Sequence, residues 1–208
     1  MTVEIWSDIV CPFCYIGKRQ FEMALQQFDK KDDVAVVWRS FQLDPSLVSD
    51  PNKSVLQSLM EKKGWSMAQT QQAMSQAVNM AKSVDLDYDF DKAVVANSFE
   101  GHRLLHFAKT HGKQNATKES LLKAYFIEGK NTDDRDMLLG IAEQIGLDEQ
   151  ATAAMLKSDD YAEDVKNDIA LARQFGISGV PFFVFNRKYA VSGAQGVDAF
   201  LQTLQKVE

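Results

Sequence analysis

Two cysteines carry whatever covalent chemistry this chain performs. Cys11 and Cys14 are its only cysteines, and Pro12 and Phe13 separate them. Two sulfurs at this spacing either cycle between dithiol and disulfide or supply half of a tetrahedral metal site. Thr2 to Trp6 is β-branched, aromatic or alternating, as a strand requires. From Cys14 onward Phe21, Leu25 and Phe28 fall near helical spacing, with Gly17 on the same side. Pro12 suits a first helical turn, where the amide it lacks would have no partner. Cys11 therefore falls at the helix start, where free amides and the positive end of the helix dipole favour a thiolate. This position makes Cys11 the attacking thiolate. Cys14, one turn further in, becomes the resolving thiol that closes an intramolecular disulfide. Asp8, three residues upstream, either closes the strand or opposes the thiolate by its own charge.

A zinc reading is arithmetically open. His102 and His106 stand at i, i+4 on one expected helix face and would complete a Cys2His2 set. The gap from Cys14 to His102 is unlike that of compact zinc modules, so the redox reading is preferred and no metal is expected.

These residues need elements to hold them. Asp32-Asp33 marks a turn, and Val34 to Trp38 is a continuous apolar run, read as a buried, central strand parallel to the first. Asp44-Pro45 ends it. Between about Pro51 and Ser158 no strand is expected. Short helices are read at Ser54–Lys62, Ser66–Val84, Val94–His111, Thr117–Glu128, Asp133–Ile145 and Asp148–Leu156. Many open on Ser, Thr or an acid, and several close on Gly. The Met-rich stretch Met67 to Met80 reads as core packing, or as an adaptable apolar wall. A further helix, about Asp160 to Phe175, leads to Gly179-Val180-Pro181. The apolar strand Phe182–Phe185, a turn, the strand Tyr189–Ser192 and a closing helix Val197–Val207 follow.

The stretches Asp8 to Gly17, Phe41 to Pro45, Asn97 to His106 and Gly179 to Val184 resemble the DsbA-like branch of the thioredoxin superfamily, in particular its cytosolic FrnE-like oxidoreductases. The resemblance implies an α/β thioredoxin fold built from residues 1–45 and 159–208. A large all-helical insertion, 46–158, follows the second strand and covers the active site. It implies a dithiol–disulfide site at Cys11 and Cys14 and a cis-proline loop at Val180-Pro181. The Val180 backbone would be aimed outward, where a substrate chain could pair with it. Pro12 and Phe13 join that substrate surface, and a groove between insertion and site is expected, lined by Phe13. The helix carrying Asn97 and His102 borders the site in the family, which makes both substrate-binding candidates. By itself His102 reads as a surface or half-buried helix histidine.

The bulk numbers bound the partners. The chain has 208 residues, 29 acidic against 23 basic, with a net charge of −6 and 45% hydrophobic residues. No basic patch invites nucleic acid or an anionic membrane, and no apolar stretch approaches the ~20 residues that span a bilayer. The start Met1-Thr2-Val3-Glu4 does not read as a signal peptide, so a cytoplasmic protein is expected. The expected partner is a protein or small-molecule disulfide, the chain being a monomer or homodimer. No cofactor is needed beyond the Cys11–Cys14 couple, with glutathione as a possible reductant. A lowered Cys11 pKa places the couple between the ~−270 mV of thioredoxin and the ~−120 mV of DsbA. In a cytosol poised near or below ~−220 mV such a pair stays mostly reduced and works as a reductase or isomerase. Two alternatives use the same fold. One is a glutathione-dependent isomerase or transferase of the kappa or 2-hydroxychromene-2-carboxylate isomerase type, which typically carries Ser at the Cys11 position. The other is a non-catalytic, chaperone-like peptide binder.

Overall fold

Strand β1 (Thr2–Ser7) runs directly into the cysteine pair, and α1 (Pro12–Gln26) leads away from it. The computed structural model describes residues 1–207. After α1 come β2 (Ala35–Ser40), β3 (Asp50–Ser54), α2 (Val55–Lys63), α3 (Met67–Lys82), β4 (Val94–Val95), α4 (Phe99–Thr110) and α5 (Gln114–Phe126). Then follow α6 (Arg135–Gln144), α7 (Glu149–Lys157), α8 (Ala162–Gln174), β5 (Phe182–Phe185), β6 (Tyr189–Ser192) and α9 (Val197–Val207). The main sheet has the order β2-β1-β5-β6. β1 pairs parallel to β2, with Ser7 opposite Ser40, and antiparallel to β5.

Alternation along β1 splits the core. Val3 and Ile5 face α1 and α9 in a cluster with Phe21, Phe183, Phe185, Phe200 and Leu204. Trp6 faces the other way, with Ala172 of α8. Its indole Nε1 donates to the Asp168 carbonyl at 2.9 Å.

Two expectations need correction. The second strand is parallel to the first, but it lies at the sheet edge, with β1 and β5 in the centre. Its apolar run is sheltered by a side chain instead of a further strand. The Gln114 amide of α5 accepts from Trp38 N at 3.1 Å and donates to Trp38 O at 2.9 Å. This satisfies main-chain groups that an edge strand would leave open. The second correction concerns the segment expected to lack strands. β3 and β4 form a short antiparallel ribbon there. Asp50-Pro51-Asn52-Lys53-Ser54 has no apolar alternation that would announce it.

The helix signals otherwise translate into geometry. Ser54, Ser66, Asp134 and Asp148 each accept a backbone N–H of the first turn of their helix. The inserted helices bind tightly to the sheet layer. Ile9, in the loop after β1, belongs to one cluster with Leu104, Leu105 and Leu121. A methyl group added at Gly101 would come within 2.6 Å of Ile9 Cδ1, so α4 approaches this loop as closely as a glycine permits. On the far side of α1, Glu119 of α5 takes Tyr15 Oη at 2.6 Å, Arg19 at 2.7 Å and the Lys18 ammonium.

Candidate active site

Cys11 is the N-cap of α1, with extended backbone (φ −93°, ψ 115°). Its carbonyl accepts the first helical bond, from Cys14 N at 3.0 Å. Both thiols are free. Cys14 is fully buried and Cys11 is 3% exposed, so an incoming sulfur meets Cys11 first. The Cys11 thiol points at the loop before β5, donating to the Val180 carbonyl at 3.5 Å. The Val180–Pro181 peptide is cis, as expected from the resemblance. The Pro181 ring packs on α1 one turn beyond Cys14, where a Cβ at Gly17 would stand 2.9 Å from Pro181 Cγ. Phe13 projects beside the cysteines at 40% exposure, and Pro12 is half-buried. The Pro12 carbonyl is taken by Tyr88 Oη at 2.7 Å.

Behind the cysteines lies a buried polar layer. Asp8 Oδ2 accepts from Leu43 N at 2.7 Å, and Asp8 Oδ1 lies 3.5 Å from His102 Nε2. Burial pushes the Asp8 carboxyl up, but His102, the Leu43 amide and the Ser98 hydroxyl together hold it below its ordinary value. Asp8 is therefore a fixed negative charge next to the thiols and does more than close a strand. His102 is fully buried rather than surface or half-buried, and neither ring nitrogen makes a well-formed hydrogen bond. Burial holds its pKa down against the pull of Asp8. From Gly101 to Ala108 every residue of α4 is buried. A helix enclosed on all sides shows no polar face from which exposure could be read.

Lys118 of α5 completes the layer. It is 1% exposed. Its ammonium donates to the Ser7 carbonyl at 3.4 Å and lies 5.6 Å from the centre of the Trp38 ring. Burial brings its pKa down to about 8, against the opposing pull of Cys14, Asp8 and Cys11. Lys118 is a site residue to which neither the cysteine motif nor the family stretches point. The signal was present: Lys118, Leu121, Leu122 and Tyr125 stand at i, i+3, i+4 and i+7, so a lysine occupies a position of the apolar stripe.

The helix start, acting alone, places the charge of the reduced pair on Cys11. The surroundings draw charge toward Cys14 as well. Its hydrogen bond with Cys14, then burial and the Asp8 carboxylate, push the Cys11 thiol up. Burial also pushes Cys14 up, but the Cys11 hydrogen bond, the Lys118 ammonium and the nearby Ser7 hydroxyl outweigh it. The two sulfurs thus share one proton, and the pair titrates as a unit. Cys11 keeps the access, and the shared proton lets either sulfur carry the thiolate.

Other candidates go elsewhere. The Asn97 side chain is occupied within the chain: Oδ1 accepts from Gln42 Nε2 and Phe99 N, both at 2.9 Å, and Nδ2 donates to Leu47 O at 2.7 Å. His106 turns from the cysteines to Ser40 Oγ (3.1 Å) and Asp168 Oδ2 (3.2 Å). Both contacts are at Nε2, so the trio lacks the two-sided relay of a nucleophilic triad. Among the described residues no group of three or more His, Cys, Asp or Glu side chains is placed to hold a metal ion. A cleft of about 120 Å³ does run from the cysteine loop under the insertion, but on the Val10 side. It is walled by Val10, Leu43, Leu47, Val55, Leu59 and Tyr125, and neither Phe13 nor Pro181 lines it. Among the described residues no helix is long and apolar enough to cross a membrane.

Comparison with known proteins agrees with this geometry. Residues 2–205 match the family of the DSBA-like thioredoxin domain. The uncharacterized protein YwbO of Bacillus subtilis (strain 168) is 30% identical over 209 residues, an alignment covering 95% of this chain and 92% of that one. The crystal structure of a probable DsbA oxidoreductase from Streptomyces coelicolor superposes with a TM-score of 0.94 at 40% identity, over 100% of this chain and 89% of that one. The cytosolic disulfide reductase DsbM from Pseudomonas aeruginosa shares the fold at a TM-score of 0.71 and 16% identity, over 99% and 98% of the two chains.

Proposed function

The chain belongs to the DSBA-like thioredoxin domain family, and from that premise we propose that it is a thiol–disulfide oxidoreductase working in the reductase or isomerase direction. One observation carries the reading: a free dithiol at a helix start, its accessible sulfur 3.5 Å from the carbonyl before a cis-proline. With the shared proton on Cys14, the Cys11 thiolate attacks a substrate disulfide. One substrate sulfur leaves with the electron pair, and a Cys11–substrate disulfide remains. Cys14, held 3.0 Å from Cys11 through the first helical bond (N to O), then attacks Cys11. The intramolecular disulfide closes and the second substrate sulfur leaves. The cysteines carry both electrons, so no bound cofactor enters the reaction. A small thiol of the glutathione class returns the pair to the dithiol.

The fixed charge of Asp8 supports the reducing direction. It raises both thiols, which makes the thiolate-bearing reduced form less favourable and lowers the potential relative to a helix start acting alone. Phe13 and the half-buried Val180 supply the apolar and main-chain surface for a peptide on either side of its disulfide.

Trapping tests the reading. Cys14→Ser should accumulate mixed disulfides with a reducible protein such as insulin, visible by non-reducing electrophoresis. Cys11→Ser should neither trap nor turn over. Insulin reduction undiminished in Cys11→Ser would overturn the assignment.

A further inference from the structure

Lys118 stands apart from the other buried cations. It is enclosed on α5, its one hydrogen bond is a long one to the Ser7 carbonyl, and no carboxylate of the described residues lies within 4.0 Å of it. Charged groups face it from each element around it. Asp8 and Cys11 are on the loop after β1, Cys14 and Lys18 on α1, and His102 on α4. Trp38 of β2 presents its ring. Glu119, its neighbour on α5, is committed to Lys18, Arg19 and Tyr15. Of the negative groups, Asp8 is present in both redox states. The thiolate exists only while the cysteines are reduced.

We propose that Lys118 carries a redox-linked proton, positively charged beside the reduced cysteine pair and neutral once Cys11 and Cys14 are joined. The inference rests on the oxidoreductase reading. The steps balance. The reduced site holds one thiolate, one thiol and the Lys118 ammonium. Attack by Cys11 expels the first substrate sulfur, which takes the proton left on the pair, so the negative charge then sits on Cys14 beside Lys118. Cys14 sulfur attacks Cys11 sulfur, the sulfur–sulfur bond between the cysteines forms, and the Cys11–substrate bond breaks. The electron pair leaves on the second substrate sulfur. With the thiolate gone, the buried ammonium has lost its mobile counter-charge, and its proton passes through solvent to that sulfur. The dithiol has lost two electrons, the substrate has gained two electrons and two protons, and Lys118 ends neutral. Return to the dithiol reverses each transfer. Lys118 is thus a positioning residue: it steadies charge on the resolving sulfur and supplies the last proton.

The protein itself can be tested with lysine labelled with 13C at Cε. In the dithiol form one lysine, identified by contact with the Trp38 ring, should titrate well below the others. On oxidation its midpoint should fall by at least about one pH unit, the scale on which a nearby charge acts at a buried site. Lys118→Met should remove that resonance. It should also take one proton out of the two-electron equilibrium with glutathione, so a ratio that is nearly flat with pH between the two midpoints, two protons being released and two taken up, should instead change about tenfold per pH unit. A midpoint unmoved by oxidation, or a pH dependence unchanged in Lys118→Met, overturns the inference. Should that variant not fold, the titration of the natural chain decides alone. A protein in which Cys11 and Cys14 never join would instead defeat the oxidoreductase reading, a result that mass measurement after alkylation distinguishes.

Discussion

Lys18 of α1 and Lys118 of α5 are both almost wholly buried, and only one of them is paired. Lys18 holds two carboxylates, Glu22 at 2.6 Å and Glu119 more closely still. Lys118 has a long bond to a carbonyl and an aromatic ring. The two histidines of α4 repeat the contrast. His106 is bonded to Ser40 and Asp168, whereas His102 faces Asp8 at 3.5 Å with both ring nitrogens unsatisfied. The paired members tie elements together. The unpaired members lie in the buried layer around Asp8, and of the two Lys118 keeps a charge that can respond to the sulfur chemistry.

The lysines allow the sharpest test, because the same substitution should have opposite signs. Lys18→Met should cost about 3 kcal/mol in urea denaturation by stranding carboxylates at a buried contact, the low end of the range because Arg19 and water still reach them. Lys118→Met should stabilise. Its folded pKa of about 8 lies below the ordinary 10.5, so the unfolded chain binds the proton more tightly. The cost of burying the ammonium is complete below pH 8 and is relieved as pH rises towards 10.5. The gain should therefore reach up to about 3 kcal/mol at pH 7 and shrink steadily above pH 8. A gain independent of pH would mean that packing, not charge, separates the two lysines.

The aspartates come next. Asp168→Asn should cost about 2 kcal/mol, since it weakens bonds to Arg39, His106 and Ser40 N. Burial pushes the Asp168 carboxyl up, but those bonds bring it below its ordinary 3.8. Its contribution is complete above that pH and is lost as pH falls through the depressed value, so the wild-type advantage should vanish in acid. Asp8→Asn should change the thiols more than the stability: alkylation of the pair below pH 7 should quicken, because a charge that raises both thiols has gone. Equal chemical effects from the two aspartates would erase the distinction between scaffold and site. The smallest effect belongs to Gly17→Ala. Its methyl group must displace the Pro181 ring, at a cost of about 1 kcal/mol in thermal or urea unfolding. Insulin reduction should slow as the proline loop shifts from Cys11, and an unchanged rate would show that this contact packs without positioning.

Local features were the legible ones. Cys11, Cys14 and the Val180-Pro181 loop announce themselves within a few residues, as do the helix caps and the β5–β6 hairpin. What the sequence left obscure depends on distant packing. The edge position of β2 rests on Gln114, more than seventy positions away in the chain. His102 gave no sign of its burial because α4 is enclosed all round. The pull of charge toward Cys14 depends on Lys118, brought from α5, and the helix-start rule for Cys11 knows nothing of it. Lys118 was readable as a lysine within an apolar stripe, but not the site at which that stripe docks.

The amide clasp between Gln114 and Trp38 has a consequence for how the chain is made. Synthesis delivers β1, α1 and β2 first, and this fragment carries an unguarded apolar strand on each side. β1 waits for Phe182–Phe185, and β2 waits for Gln114. Until α5 docks, the outer margin of β2 can template another nascent chain. The inserted helices thus act early as a chaperone in cis, sealing one margin of the sheet well before its last strands leave the ribosome.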